Sequence, residues 1–183
     1  MKSLVTHQNC STSRVWDDVE LSAGCDAPVL ISTDDSDHAK ELGLWIHGRS
    51  LRRAGPFAVL DSRTLGPDIQ FEAIGRAQGP LPNLGAADSL HGGTLLLLHL
   101  EDMPLETQLR LYRFLEGRQE CDPSMFRVLA ATDRRAFARV QAGEIRQDLF
   151  YRLNVIHIVL GDAVDPVIAF GRARPGKECI ADQ

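Results

Sequence analysis

The sequence has little cysteine, no long apolar run and no excess of basic charge, and each shortage removes a class of protein. Its four cysteines, Cys10, Cys25, Cys121 and Cys179, stand far apart with no CxxC pair. Neither a disulfide framework nor zinc-finger spacing is present. The longest apolar run, Leu95 to Leu98, falls far short of the ~20 residues that span a bilayer. Met1 to Gln8 lacks the apolar core of a signal peptide. A reduced, cytoplasmic protein without membrane contact is expected. Twenty Lys and Arg against 25 Asp and Glu leave a net charge of −5, which does not suit the chain as a whole to nucleic acid. Arg49, Arg52 and Arg53 read as the solvated end of a helix, the other reading being a local phosphate contact. Fifteen glycines and nine prolines in 183 residues are too few for a low-complexity chain. A single domain of this length buries roughly 70% of its unfolded surface and needs no staple.

What is present is an alternation of helical spacing with short apolar runs. Residues 1–13 are polar and unpatterned, and are read as a flexible start. Val15, Val19 and Ala23 give helical spacing over Arg14 to Ala23, and Ala27 to Ser32 reads as a buried strand. Helical spacing returns over Lys40 to Arg53, followed by a strand at Pro56 to Asp61 and a Gly- and Pro-rich stretch over 62–91 with one weak helix. Thr94 to Leu100 is apolar throughout, which predicts a central strand buried on both faces. Pro104 opens a helix to Leu115, where its missing donor costs nothing. A strand at Phe126 to Ala131, helices over Arg134 to Ala142 and Ile145 to Leu153, and a strand at Val155 to Leu160 complete the pattern. Five strands alternating with helices imply a parallel sheet covered on both faces. Residues 161–183 are read as an irregular tail, with one short apolar segment at 167–170.

Several stretches, in order, resemble the ATPase domain of sigma-54-dependent transcriptional activators, a branch of the AAA+ superfamily. The likeness runs from about Val19 to Leu160. Asp26 to Ile31 resembles the lead-in to the family's phosphate loop, and Ile46-His47 with Gly55-Pro56-Phe57 resembles its first helix end and second strand. Gly92-Gly93-Thr94-Leu95 and Met103-Pro104-Leu105 resemble the Walker B segment GGTLFLDEIGELPL. Phe126 to Asp133 is similar to the sensor strand, which usually ends AATN, and Glu144 to Asn154 is similar to FREDLYYRLN, the arginine-finger segment. The resemblance implies an α/β fold of the three-layer P-loop NTPase type, with a five-stranded parallel sheet in the order 5-1-4-3-2. The family's lid subdomain and C-terminal DNA-binding helix-turn-helix have no counterpart here, so the expectation is a domain over 14–160 with no lid and no direct DNA contact.

The residues that the resemblance places at the nucleotide site differ from the family's. A phosphate loop uses glycines to bring backbone N–H groups to the phosphates, a Lys to reach the β- and γ-oxygens and a Ser or Thr to hold magnesium. Where the family reads GESGTGKE, this chain reads Thr33-Asp34-Asp35-Ser36-Asp37-His38-Ala39-Lys40-Glu41, with no glycine. Asp34, Asp35 and Asp37 would repel a polyphosphate, and Ala39 falls at the lysine position unless a one-residue gap brings Lys40 there. Leu98 and His99 replace the Asp-Glu pair that holds the magnesium shell and the attacking water. Glu101 and Asp102 follow, but on a strand, where alternate side chains change face, they would not substitute, and they read as turn carboxylates. Asp133 stands where the family's sensor Asn does. Arg146 and Arg152 align with the two arginine fingers and are candidates for action in trans on a neighbouring subunit, the plain alternative being exposed helix arginines.

No cofactor and no metal are therefore expected, ATP and magnesium entering only if the loop around Lys40 realigns. The acidic Asp34–His38 run lacks the glycine and closing acid of a calcium loop and reads as a helix cap. His99 and His157 are expected in central strands as satisfied core histidines, and Ser36 and Ser89 lack a nucleophile-elbow context. The sigma-factor-binding GAFTGA motif is missing from Asp61 to His91, which argues against sigma-54 contact. The expected role is a non-hydrolysing interaction module in transcription regulation, docking with AAA+ subunits or a regulatory protein. An active ATPase and a decayed fragment are the alternatives.

Overall fold

Each apolar run becomes a strand. The computed structural model describes residues 8–66, 69, 71, 90–117 and 125–161, the side chains of 8–14 excepted. β1 (Val29–Ser32), β2 (Phe57–Asp61), β3 (Thr94–Leu98), β4 (Arg127–Thr132) and β5 (Ile156–Val159) form one sheet in the order β2-β3-β4-β1-β5. Every pairing is parallel, with Val29 opposite both Leu129 and Ile156, and Leu96 between Val59 and Leu129. Read from the other edge, this is the 5-1-4-3-2 order that the resemblance implies. β1, β3 and β4 are buried at every position, whereas the edge strand β5 alternates buried and exposed residues. Interior parallel strands are covered on both faces, so both sets of side chains are apolar.

Helices α1 (Gln8–Ala23), α2 (Ser36–Arg49), α3 (Leu105–Glu116), α4 (Ala136–Gln141) and α5 (Gln147–Leu153) connect the strands. On one face, Val29, Ile31, Leu96 and Leu129 pack beneath Ala39, Leu42 and Ile46 of α2 and Val19 of α1. On the other, Leu30, Leu95, Leu97 and Val128 meet Leu111, Phe114 and Leu115 of α3 and Leu149 and Leu153 of α5. The result is three layers around one sheet. Stacking of Phe114 on Phe126, with ring centroids 5.1 Å apart, ties α3 to the start of β4.

Three expectations change. α1 begins at Gln8 rather than Arg14, because the polar Gln8 to Ser13 stretch carries no Gly or Pro to stop a helix. α2 spans Ser36–Arg49 instead of starting at Lys40, since Asp35 caps it by accepting a hydrogen bond from the Asp37 N–H at 2.8 Å. β3, by contrast, is interior and buried on both faces as its apolar run implies. Finally, Arg52 is not solvated: its side chain is 5% exposed and grips Asp26 with two prongs. Of its neighbours, Arg49 lies over the Trp45 ring, 3.8 Å from the centroid, and Arg53 is exposed. Within 62–91 a 3-10 turn occupies Ser62–Thr64. Most of the remaining 62–91 stretch, with the weak helix, the missing loop motif and Ser89, lies outside the described residues, as do residues 162–183. Among the described residues, no helix is long and apolar enough to cross a membrane.

Candidate functional site

The C-terminal ends of parallel strands are where open α/β sheets place their ligands. Here the ends of β1, β3 and β4 enclose a cleft of about 110 Å³, lined by Thr33, Asp34, Ser36, Ala39, Leu98, His99, Glu101, Ala131, Thr132 and Asp133. The structure thus brings together six of the positions singled out from the sequence in the loop and strand ends (Thr33, Asp34, Ser36, Ala39, Leu98 and His99), and Asp133 with them. Asp35, Asp37, His38 and Lys40 sit in the same loop and first helical turn but do not line the cleft.

The loop after β1 is held by its own side chains. Thr33 Oγ1 accepts from the Asp35 N–H at 3.2 Å, and Asp35 caps α2. His38 Nε2 lies 3.7 Å from Asp35, and Lys40 Nζ donates to Asp37 at 2.8 Å. The Lys40 ammonium holds the Asp37 carboxyl below the usual carboxylate range. Asp34 reaches across to the loop after β4, where Arg134 Nε donates to it at 2.6 Å and the Arg134 N–H at 3.3 Å. That pairing, side chain first and backbone second, pushes the Asp34 carboxyl down as well. Ala39 is fully buried in the α2 layer and presents only a methyl group to the cleft.

The opposite wall differs from what strand geometry predicts. β3 ends at Leu98, which is 5% exposed and belongs to the apolar layer under α2. His99 then adopts φ 54° and ψ 51°, the left-handed region rarely used by residues with a side chain, and Leu100–Asp102 forms a 3-10 turn. The alternation argument for Glu101 and Asp102 fails here because the chain has already left the strand. His99 Nδ1 lies 3.8 Å from Glu101 Oε1, and the ligand atoms of His99, Glu101 and Asp102 all lie within 4.8 Å of one another. His157 is far from this turn. It sits on β5, three strands from β3, with Nε2 2.8 Å from Ser32 Oγ. The expectation of a core histidine in a central strand therefore fails for His157, because β5 is the edge strand and the residue is exposed.

Asp133 is clamped by arginines of its own loop and of α4. The Arg135 N–H donates to it at 3.0 Å and Arg139 Nε at 2.9 Å, while Arg139 also bonds Glu144 at 2.6 Å. Two carboxylates raise the Arg139 pKa above its ordinary value. Arg134 and Arg139, which neutralise Asp34 and Asp133, are the functional partners that sequence reasoning missed; only the fold brings Arg134 to a residue 100 positions earlier. The two arginine-finger candidates lie outside the cleft lining. Arg146 precedes α5 and forks onto Asp148 at 2.6 and 3.1 Å, and its N–H donates to Gln108 Oε1 at 2.8 Å. Arg152 donates to the Leu115 carbonyl at 3.0 Å.

Comparison with known proteins gives a consistent result. A family model described as the sigma-54 interaction domain matches residues 5–159. The HTH-type transcriptional regulatory protein TyrR of Enterobacter agglomerans is 36% identical over 148 residues, covering 74% of this chain and 28% of that protein. The DNA-binding transcriptional regulator NtrC of Salmonella typhimurium is 34% identical over 145 residues, covering 72% of this chain and 31% of NtrC. The chain thus spans about a third or less of these two relatives. Among solved structures, the P-loop NTPase domain of an E. coli sigma-54 activator superposes with a TM-score of 0.62 at 16% identity, covering 87% of this chain and all of that one. NtrX of Brucella abortus in complex with ATP superposes with a TM-score of 0.62 at 23% identity, covering 86% of this chain and 38% of NtrX. Both likenesses are of fold.

Proposed function

Because the chain belongs to the sigma-54 interaction domain family, we propose that it serves transcription regulation as a docking module that does not hydrolyse ATP. Its partners are AAA+ subunits or a regulatory protein that meets the family surface. The observation that carries this reading is the make-up of the cleft wall, where Ala39 and Leu98 present no polar side-chain atom beside the carboxylates of Asp34 and Asp133. A phosphate loop needs free backbone N–H groups and a mobile lysine. Here the Asp35 and Asp37 N–H groups are bonded to Thr33 and Asp35, and Ala39 fills the cleft ahead of Lys40, whose exposed ammonium lies outside its lining. The carboxylates of Asp34, Glu101 and Asp133 line the cleft, and Leu98 among them offers magnesium no oxygen. These residues do not fit Mg-ATP, and no hydrolytic step is derived through it.

On the same reading, Arg146 and Arg152 are the groups left to act in trans. Both are already bonded within the chain, but Arg146 and Asp148 are each about one-third exposed, and a pair so close to solvent exchanges partners at little cost. The test is phosphate release from Mg-ATP by the chain and by Lys40→Ala. The expected result is background release for both. Magnesium-dependent turnover that disappears in Lys40→Ala overturns the reading and makes Lys40 a phosphate ligand.

A further inference from the structure

Of the three carboxylates lining the cleft, Asp34 is bridged by Arg134 and Asp133 by Arg139. Glu101 is the exception. Its side chain is 8% exposed, yet among the described residues Oε2 is buried without a hydrogen-bond partner, and Oε1 lies 3.8 Å from the imidazole Nδ1 of His99. A buried carboxylate oxygen with no donor is costly, and Glu101 lines the cleft beside a histidine and a second acid, a setting that calls for a cation. Arg63 is forked onto Asp61 at 2.6 and 2.9 Å and acts on Glu101 and Asp102 through space, with its hydrogen bonds directed to Asp61.

We propose that His99, Glu101 and Asp102 form a binding site for a first-row transition metal ion of the zinc class. The donor set decides the class: imidazole with two carboxylates suits zinc or cobalt, whereas magnesium and calcium take shells of oxygen. In a tetrahedral site with bonds of about 2.0–2.1 Å, neighbouring ligand atoms stand about 3.4 Å apart. The His99–Glu101 separation of 3.8 Å is therefore near that value, and Asp102, exposed at the end of the same 3-10 turn, closes the set with a small side-chain rotation. The left-handed backbone at His99 makes this possible, because it ends the strand and brings the ligating atoms of positions 99, 101 and 102 together within one turn. Three protein ligands leave a position open toward the cleft, where water completes the shell. This site is independent of the reading above, since it requires no nucleotide.

The experiment is a titration of the chelator-treated full chain with Zn²⁺ alone, in competition with a chromophoric chelator, and with Co²⁺ followed by its visible absorption. The expected result is saturable binding of a single ion, weakened about tenfold or more by Glu101→Gln and by Asp102→Asn. His38→Asn, which alters the other acidic and histidine-bearing turn, leaves the affinity unchanged. Asp102 is exposed, so its variant keeps the test valid if Glu101→Gln alters folding, as circular dichroism will reveal. Absence of saturable binding, or affinity indifferent to Asp102→Asn and Glu101→Gln, overturns the assignment.

Discussion

Arg52→Ala is expected to lower the free energy of unfolding by about 3 kcal/mol, because it breaks a buried ion pair from one side. Arg52 Nε and Nη2 each donate to an Asp26 oxygen at 2.9 Å, and Nη1 donates to the Met125 carbonyl. These bonds tie the turn after α2 to the segment before β1 and the segment before β4. Truncation leaves the Asp26 carboxylate, 19% exposed, and the Met125 oxygen without that donor. The buried guanidinium of Arg127, which feels both Asp26 and Arg52, offsets part of the loss, and this places the estimate at the lower end of the range for buried pairs. Arg52→Lys restores the charge but not the fork, so only part of the stability returns. For a domain of this size the alanine variant should melt about 6–12 °C lower. A drop within error of zero contradicts a structural role for the pair.

The second large effect is expected at Gly93, where the family-like Gly-Gly-Thr-Leu stretch enters β3. A Cβ built on Gly93 stands 2.2 Å from the Pro56 carbonyl oxygen and 2.8 Å from Pro56 Cγ. The neighbour is backbone and a rigid ring, so neither can swing aside. The same Pro56 oxygen accepts from the Thr94 N–H at 2.8 Å, and the Gly93 oxygen accepts from the Arg127 N–H at 2.9 Å. Any shift that admits a methyl group therefore disturbs the first rungs joining β2 to β3 and β3 to β4. Gly93→Ala should cost about 3 kcal/mol, read as a lowered urea midpoint. Gly48→Ala is the control: in α2, with nothing within 4 Å of the added Cβ, it should be neutral or stabilising by up to about 1 kcal/mol. Equal effects from the two substitutions would contradict the packing argument.

The strands were legible because buried parallel strands are continuous apolar runs, and runs such as Thr94 to Leu98 do not depend on distant residues for their meaning. Their order came from resemblance alone, since periodicity says nothing about which strand neighbours which. Arg52 was misread for a physical reason: three nearby arginines look solvated until the fold supplies Asp26, 26 residues earlier. The turn at His99 was hidden in the same way. A histidine between leucines suggests a continuing strand, and only its left-handed backbone folds Glu101 and Asp102 back beside it. The loop at Thr33–Lys40 was the most readable part of the site, because its lack of glycine and excess of carboxylates are properties of composition. Its partner Arg134 lies in the loop after β4, and a pairing between residues 100 positions apart leaves no local trace.

The account stands or falls on the cleft at the ends of β1, β3 and β4. Calorimetric titration of the full chain with Mg-ATP, and separately with Mg-ADP, tests it most directly. With Ala39 and Leu98 offering the cleft no polar side-chain atom and the carboxylates of Asp34 and Asp133 lining it, the proposed function predicts no saturable heat up to high micromolar nucleotide. A saturable isotherm that Lys40→Ala abolishes would contradict it, because the loop would then have exchanged its internal bonds for phosphates.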